Sequence, residues 1–296
     1  IITGSNYTAT LAECKAEPEE MKTVFGLQYI RRTNDDGHHY FISSLQNKGV
    51  DDWVTLGIQA TSAAIYDPMT GATGMARTRR KDGKTQVYLQ LHSGESLILK
   101  TFKDKHPANS SPSLSEWNYY TDHPLSLSLD HGWNLHFTES EPAIKESFLI
   151  DRPVSWTTID HPDAKRNSGT AVYSLAFALP PLQADEWILD LGDVRESARV
   201  KVNGQYAGTC WAVPFRIKIG DYLNEGANRI EVEVTNLPAI RIADYERRGI
   251  NWRIFKEINL VDVNYQKTGY GHWETMPSGL NGPVKLIPVS QTTPVN

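Results

Sequence analysis

The 296-residue sequence is poor in cysteine and has no long apolar run. Its two cysteines, Cys14 and Cys210, form neither a metal-ligand spacing nor a disulfide framework. Buried free thiols are expected, since a bridge between the two halves would require an oxidising compartment. No segment approaches the roughly 18 apolar residues of a spanning helix. Positive charge is also short: 30 Lys and Arg against 35 Asp and Glu give a formal net charge of -5. With no basic block, the sequence has no long-range attraction to nucleic acid or anionic lipid, and neither partner is expected. The start, "IITGSNYTATLAECKAEPEE", lacks an initiator Met and the basic-then-apolar order of a signal peptide. The chain therefore reads as a piece of a longer protein or a processed product.

Chemistry-bearing motifs are missing as well. "GATGMARTRR" has neither the spacing of a phosphate loop nor its Gly-Lys-Ser/Thr ending. There is no HExxH and no GxSxG. His38 and His39 are adjacent, so on a strand they point to opposite faces and do not readily share a metal. No amphipathic helix longer than about three turns is evident, which excludes a barrel of alternating strands and helices.

Short β-branched and aromatic runs dominate instead. "VFGLQYIRRT", "HHYFISSL", "WVTLGIQA", "TQVYLQLHSG" and "ESLILKTF" are separated by turn-forming "NDDG", "DPMTGATG" and "RRKDGK". Val87, Leu89 and Leu91 alternate with Gln86, Tyr88 and Gln90, the period of a strand with one buried face. "AECKAEPEEMKT" supports only a short helical turn because Pro18 interrupts it. "KDKHPANSSPSLSE" has loop composition. Beyond it, "EWILDLGDV", "ARVKVNG", "QYAGTCW", "PFRIKIG" and "NRIEVEVTN" continue the strand pattern, and Asn203-Gly204 suits a type I′ hairpin turn. Pro214 lacks an N–H and suits an edge or strand-flanking position. The fold class expected is all-β, with two tandem antiparallel β-sandwiches over residues 1–120 and 121–296.

The carboxylates do not single out a catalytic pair. Asp190, Asp193, Asn203 and Glu231 offer oxygen ligands for a structural calcium ion, though their spacing is no motif. No other cofactor is indicated. Aromatics are more informative: six of the eight Trp fall within residues 121–296, and Trp133 and Trp187, beside alternating runs, are expected in the core. Sugars present apolar C–H faces ringed by hydroxyls, so a binding surface combines flat rings with amide, carboxylate or guanidinium groups. "TCWAVPF" and "NLPAIRIADYERRGINWR" place Trp211, Asn236, Arg241, Asp244, Tyr245 and Trp252 in or beside expected loops, as candidate carbohydrate-binding residues.

"SGTAVYSLAFALP", the run from Trp187 to Asn236 and "MPSGLNGPVKLIP" resemble the galactose-binding-like jelly-roll domain of large bacterial glycoside hydrolases. The resemblance is closest to the α-L-rhamnosidases of glycoside hydrolase family 106. "LQYIRRTNDDGHHYFISSL" with "VYLQLHSGESLILKTF" is similar to the accessory β-domain preceding that jelly roll. The resemblance implies a noncatalytic portion of a secreted or periplasmic hydrolase. Its partners would be a plant-type or bacterial glycan and a catalytic (α/β)8 barrel carried elsewhere in the parent chain. Two other functions remain open: an enzyme with its site on the sandwiches, and a purely structural interaction module.

Overall fold

The computed structural model describes residues 6–13, 19–104, 114–253 and 269–294. Cys14 and Pro18 lie outside them. The chain falls into two compact units, Ile1–Thr121 with Gln291–Asn296, and Asp122–Ser290. Both are built from antiparallel sheets.

The first unit opens with α1 (Tyr7–Glu13) and α2 (Glu20–Thr23). Strands β1 (Gln28–Asn34), β2 (Gly37–Ser43), β3 (Val50–Thr55) and β4 (Ser62–Tyr66) follow. They continue through β5 (Thr73–Met75), β6 (Thr78–Lys81), β7 (Lys84–Leu91) and β8 (Ser96–Phe102). One sheet has the order β1-β2-β8-β4-β5 and the other β3-β7-β6. Alternation decides which side chains enter: Tyr40, Ile42, Ile65, Leu97 and Leu99 from the first sheet share a core with Val54, Val87, Leu89 and Leu91 from the second. Buried Glu19 fastens the segment ahead of β1, accepting from Arg31 Nη1 at 2.6 Å, Tyr40 Oη at 3.0 Å and Gly57 N at 2.7 Å.

After β9 (Tyr119–Asp122), the second unit contains β10 (Leu127–Ser128), β11 (Trp133–Glu141), β12 (Ser147–Ile150) and β13 (Ser168–Ala178). Next come β14 (Glu186–Asp190), β15 (Asp193–Arg195), β16 (Ser197–Val202), β17 (Gln205–Cys210) and β18 (Arg216–Lys218). The last elements are β19 (Ala227–Thr235), α3 (Ala239–Arg247), β20 (Gly279–Gly282) and β21 (Lys285–Thr292). A six-stranded sheet runs β12-β11-β13-β19-β16-β17, and a second runs β10-β21-β14-β18. Leu135, Tyr173, Val200, Ile230, Val232 and Val234 of the first sheet share one core with Trp187, Leu189 and Leu286 of the second. Trp133 and Trp187 are both buried.

The Asn203-Gly204 hairpin closes between Val202 and Gln205 with positive φ at both turn residues, 51° and 80°. Asn203 also works through its amide, which donates to Tyr222 O at 2.8 Å and accepts from Arg229 N at 2.9 Å. Pro214 sits between β17 and β18, outside any ladder. Cys210 is buried, and desolvation pushes its thiol pKa up to about 11.

Candidate functional site: one end of the six-stranded sheet

Strand register gathers several loops at one end of the six-stranded sheet. Glu141, ending β11, pairs with Ser168, which begins β13; Thr170 and Ser197 both pair with Thr235, which ends β19. Ala198 pairs with Cys210, so β17 ends here too. Trp211 and the chain after Thr235 therefore leave the sheet at the same end. With strands about 4.8 Å apart, Trp211 emerges roughly 10 Å to one side of β19. Its side chain is 62% exposed.

The expected loop after Thr235 contains helix α3. Pro238 precedes it, and Gly249 at φ +68° follows it, with Gly249 N donating to Glu246 O at 3.1 Å and Ile250 N to Tyr245 O at 2.8 Å. Ile240 and Ala243 give the helix a narrow apolar strip. Its other anchor is ionic. Asp244, buried, accepts through Oδ2 from Arg241 Nη1 at 2.7 Å, Arg166 Nη1 at 3.2 Å and Arg248 Nη1 at 3.4 Å. Arg241, also buried, pairs in addition with Glu141 and lies 4.2 Å from the centre of the Tyr245 ring. Asn236 accepts from Gly169 N at 3.0 Å and donates to Asn167 O at 3.1 Å and Ser278 Oγ at 3.0 Å. Asn236, Arg241 and Asp244 thus spend most of their hydrogen bonds inside the unit, with Arg241 Nε buried and without a partner.

Trp252 belongs to a different arrangement, whose centre, Glu246, no sequence pattern marked. Glu246 Oε1 accepts from Trp252 Nε1 and Arg253 Nη2, each at 3.3 Å. Its Oε2 accepts from Tyr270 N at 2.5 Å and Gly271 N at 3.3 Å. Three rings collect around this carboxylate: Trp252 and Tyr270 with centres 6.0 Å apart, and Tyr270 and Trp273 at 4.7 Å. The Arg253 guanidinium lies 5.2 Å from the Trp252 ring centre and 5.4 Å from that of Tyr270. Arg247 donates to Gly271 O at 2.8 Å and to Trp273 O. An open cleft of about 520 Å³ adjoins the cluster, lined by Glu246, Ile250, Asn251, Trp252 and Arg253 with Gly249 and Gly269. The Tyr270 amide, followed by the Trp252, Gly271 and Arg253 donors, lowers the Glu246 pKa. An ionised carboxylate with four donors already on it holds structure together and has no proton to give near neutrality.

The four calcium candidates have other partners. Asp190 Oδ1 accepts from Gly192 N, Asp193 pairs with Arg195 and Asn281, and Glu231 pairs with Arg229. Asn203 serves the hairpin described above. Among the described residues, no group of three or more His, Cys, Asp or Glu is placed to hold a metal ion. No described helix is long and apolar enough to cross a membrane.

No family model matches the chain. A Formosa agariphila protein described as a "Putative beta-glucuronidase" is 31% identical over 258 residues, which is 79% of this chain and 21% of that protein. The solved structure of a rhamnosidase from Novosphingobium sp. PP1Y superposes with a TM-score of 0.69 at 22% identity. That match covers 96% of this chain and 26% of the rhamnosidase, so the two share a fold over this stretch. The chain thus spans about a fifth of its curated relative and about a quarter of the solved structure.

Proposed function

We propose that this chain is a noncatalytic portion of a carbohydrate-active hydrolase, supporting a catalytic (α/β)8 barrel carried elsewhere in the parent protein and binding glycan. On this reading the first unit is an accessory β-sandwich and the second a galactose-binding-like jelly roll. The observation that carries it is the 31% identity with one fifth of a longer protein described as a "Putative beta-glucuronidase". The all-β architecture supports it, because sugar-cleaving carboxylates of barrel enzymes sit on loops of alternating strands and helices. The finer assignment is to a parent of the family 106 α-L-rhamnosidase type, acting on plant-type or bacterial glycan in the periplasm or outside the cell. Its basis is the sequence resemblance together with the shared rhamnosidase fold.

Calorimetry and a glycan array with rhamnose-, galactose- and glucuronate-containing oligosaccharides test the binding role. Weak binding is expected, because solvent-facing hydrogen bonds exchange against water at small net gain. Aryl-glycoside assays on the same chain should show no turnover. Turnover abolished by replacing one carboxylate would overturn the reading. Absence of heat and of array signal would remove glycan binding and leave the supporting role.

A further inference from the structure

We propose that the Trp252–Tyr270–Trp273 cluster is a glycan subsite taking a single pyranose unit by its C–H face, and that Glu246 is the positioning residue that assembles it. The proposal rests on the glycan-binding reading above and goes beyond it by naming the site, its aromatic contacts and its organiser. Glu246 joins three separate stretches of chain: the last turn of α3, Trp252 with Arg253, and Tyr270 with Gly271. Those stretches carry the rings, so the carboxylate sets the ring positions. Arg247 adds a second clamp on the far stretch through the carbonyls of Gly271 and Trp273.

The chemistry at the cleft suits a saccharide better than an apolar or a strongly charged ligand. Its two charged lining residues, Glu246 and Arg253, face each other as an ion pair at 3.3 Å, so the local charge is balanced. The Trp252 ring is half-buried, held by its indole N–H with the Arg253 guanidinium over it at 5.2 Å from its centre. Trp273 lies outside the cleft lining but is 38% exposed and in ring contact with Tyr270, so it presents the face for stacking. Exposed Asn251 in the cleft offers both an amide donor and a carbonyl acceptor for hydroxyls. A volume of about 520 Å³ falls within the roughly 300–1,000 Å³ of small-molecule sites.

The test titrates a panel of methyl pyranosides into the full chain by calorimetry and ligand-observed NMR, and records near-UV circular dichroism of the ring cluster. The proteins are wild type, Trp273→Ala, Glu246→Gln, Glu246→Ala, and Trp211→Ala, which removes the rival exposed ring. A glycoside that binds wild type should lose roughly tenfold in affinity, or about 1.4 kcal/mol, in Trp273→Ala and Glu246→Ala. Trp211→Ala should bind as wild type does. Glu246→Ala should also change the aromatic circular dichroism without added sugar, and Glu246→Gln, which keeps one acceptor, should fall between. Binding that survives both cluster variants but disappears in Trp211→Ala overturns this subsite and leaves the glycan reading intact. No binding by wild type overturns both. Unchanged ring signal and affinity in Glu246→Ala overturn the positioning role even if Trp273 proves to be a contact.

Discussion

Replacing Asp244 by Ala separates the two roles open to this residue, contact with a ligand and anchorage of α3. Its side chain is nearly buried, with 10% exposure, and one oxygen, Oδ2, receives all three arginines. Breaking a buried ion pair by removing one partner costs about 3–5 kcal/mol. Two of the partners soften this: Arg166 and Arg248 are 31% and 49% exposed and regain water. Arg241 is only 9% exposed but keeps Glu141 and the Tyr245 face. The expected loss is therefore at the low end, about 3 kcal/mol. With only Ile240 and Ala243 as its apolar strip, α3 should open by itself while β19 stays paired. Native-state hydrogen exchange reads this directly. The amides from Ile242 to Ile250 should exchange roughly 100-fold faster, and those of Val232 and Val234 should be unchanged. Unchanged protection in α3 combined with lost glycan affinity would refute the anchoring argument and make Asp244 a contact.

Three further outcomes follow from the same structure. Glu19→Ala strands the buried Tyr40 hydroxyl and the Gly57 N–H, so the first unit should lose about 3 kcal/mol, seen as a lower denaturant midpoint for exchange in β2 and β8. Gly279→Ala places a Cβ 2.1 Å from Tyr173 Oη and 2.7 Å from Trp156 Cε3 at φ +91°; thermal melts should show the second unit destabilised by more than about 3 kcal/mol. In a Cys14→Ser protein, Cys210 should resist thiol reagents at pH 8 and react only in denaturant, because burial keeps its pKa near 11 and the thiolate scarce.

The core was legible where one physical rule acted locally. Ile230, Val232 and Val234 alternate with polar neighbours, and all three are buried in the second unit. Asn203-Gly204 reads as a tight turn because few other residues accept positive φ at successive positions. Helix α3 was not legible, because most of what holds it is remote. Arg241 finds Glu141 100 positions earlier, and Asp244 finds Arg166 78 positions earlier. The Glu246 cluster was hidden for the same reason, since its two backbone donors lie 24 and 25 positions downstream. Trp252 is a candidate contact from its type and its setting in the sequence. Tyr270 and Trp273 are not, because only the fold brings them into the cluster with Trp252.

Residue type alone is a weak guide at such a sheet end, because the groups that bind sugars are also the groups that close loops. Asn236 shows the conflict: its carbonyl takes the Gly169 amide, and its NH2 reaches Asn167 O and Ser278 Oγ. Each orphaned buried group costs about 1–3 kcal/mol, and Asn236→Ala strands three, so it should destabilise the second unit by at least about 3 kcal/mol. Trp273 is in the opposite position. At 38% exposure it makes its ring contact with Tyr270 at the surface, so Trp273→Ala should change stability by less than about 1 kcal/mol. The two variants should therefore cross over, Asn236→Ala losing stability with its glycan affinity retained and Trp273→Ala losing affinity with its stability retained. Urea denaturation and calorimetry on the same preparations measure both quantities. If Asn236→Ala melts as wild type yet no longer binds, the amide is a contact, and the division drawn here between loop-closing polar groups and ligand-facing rings is wrong.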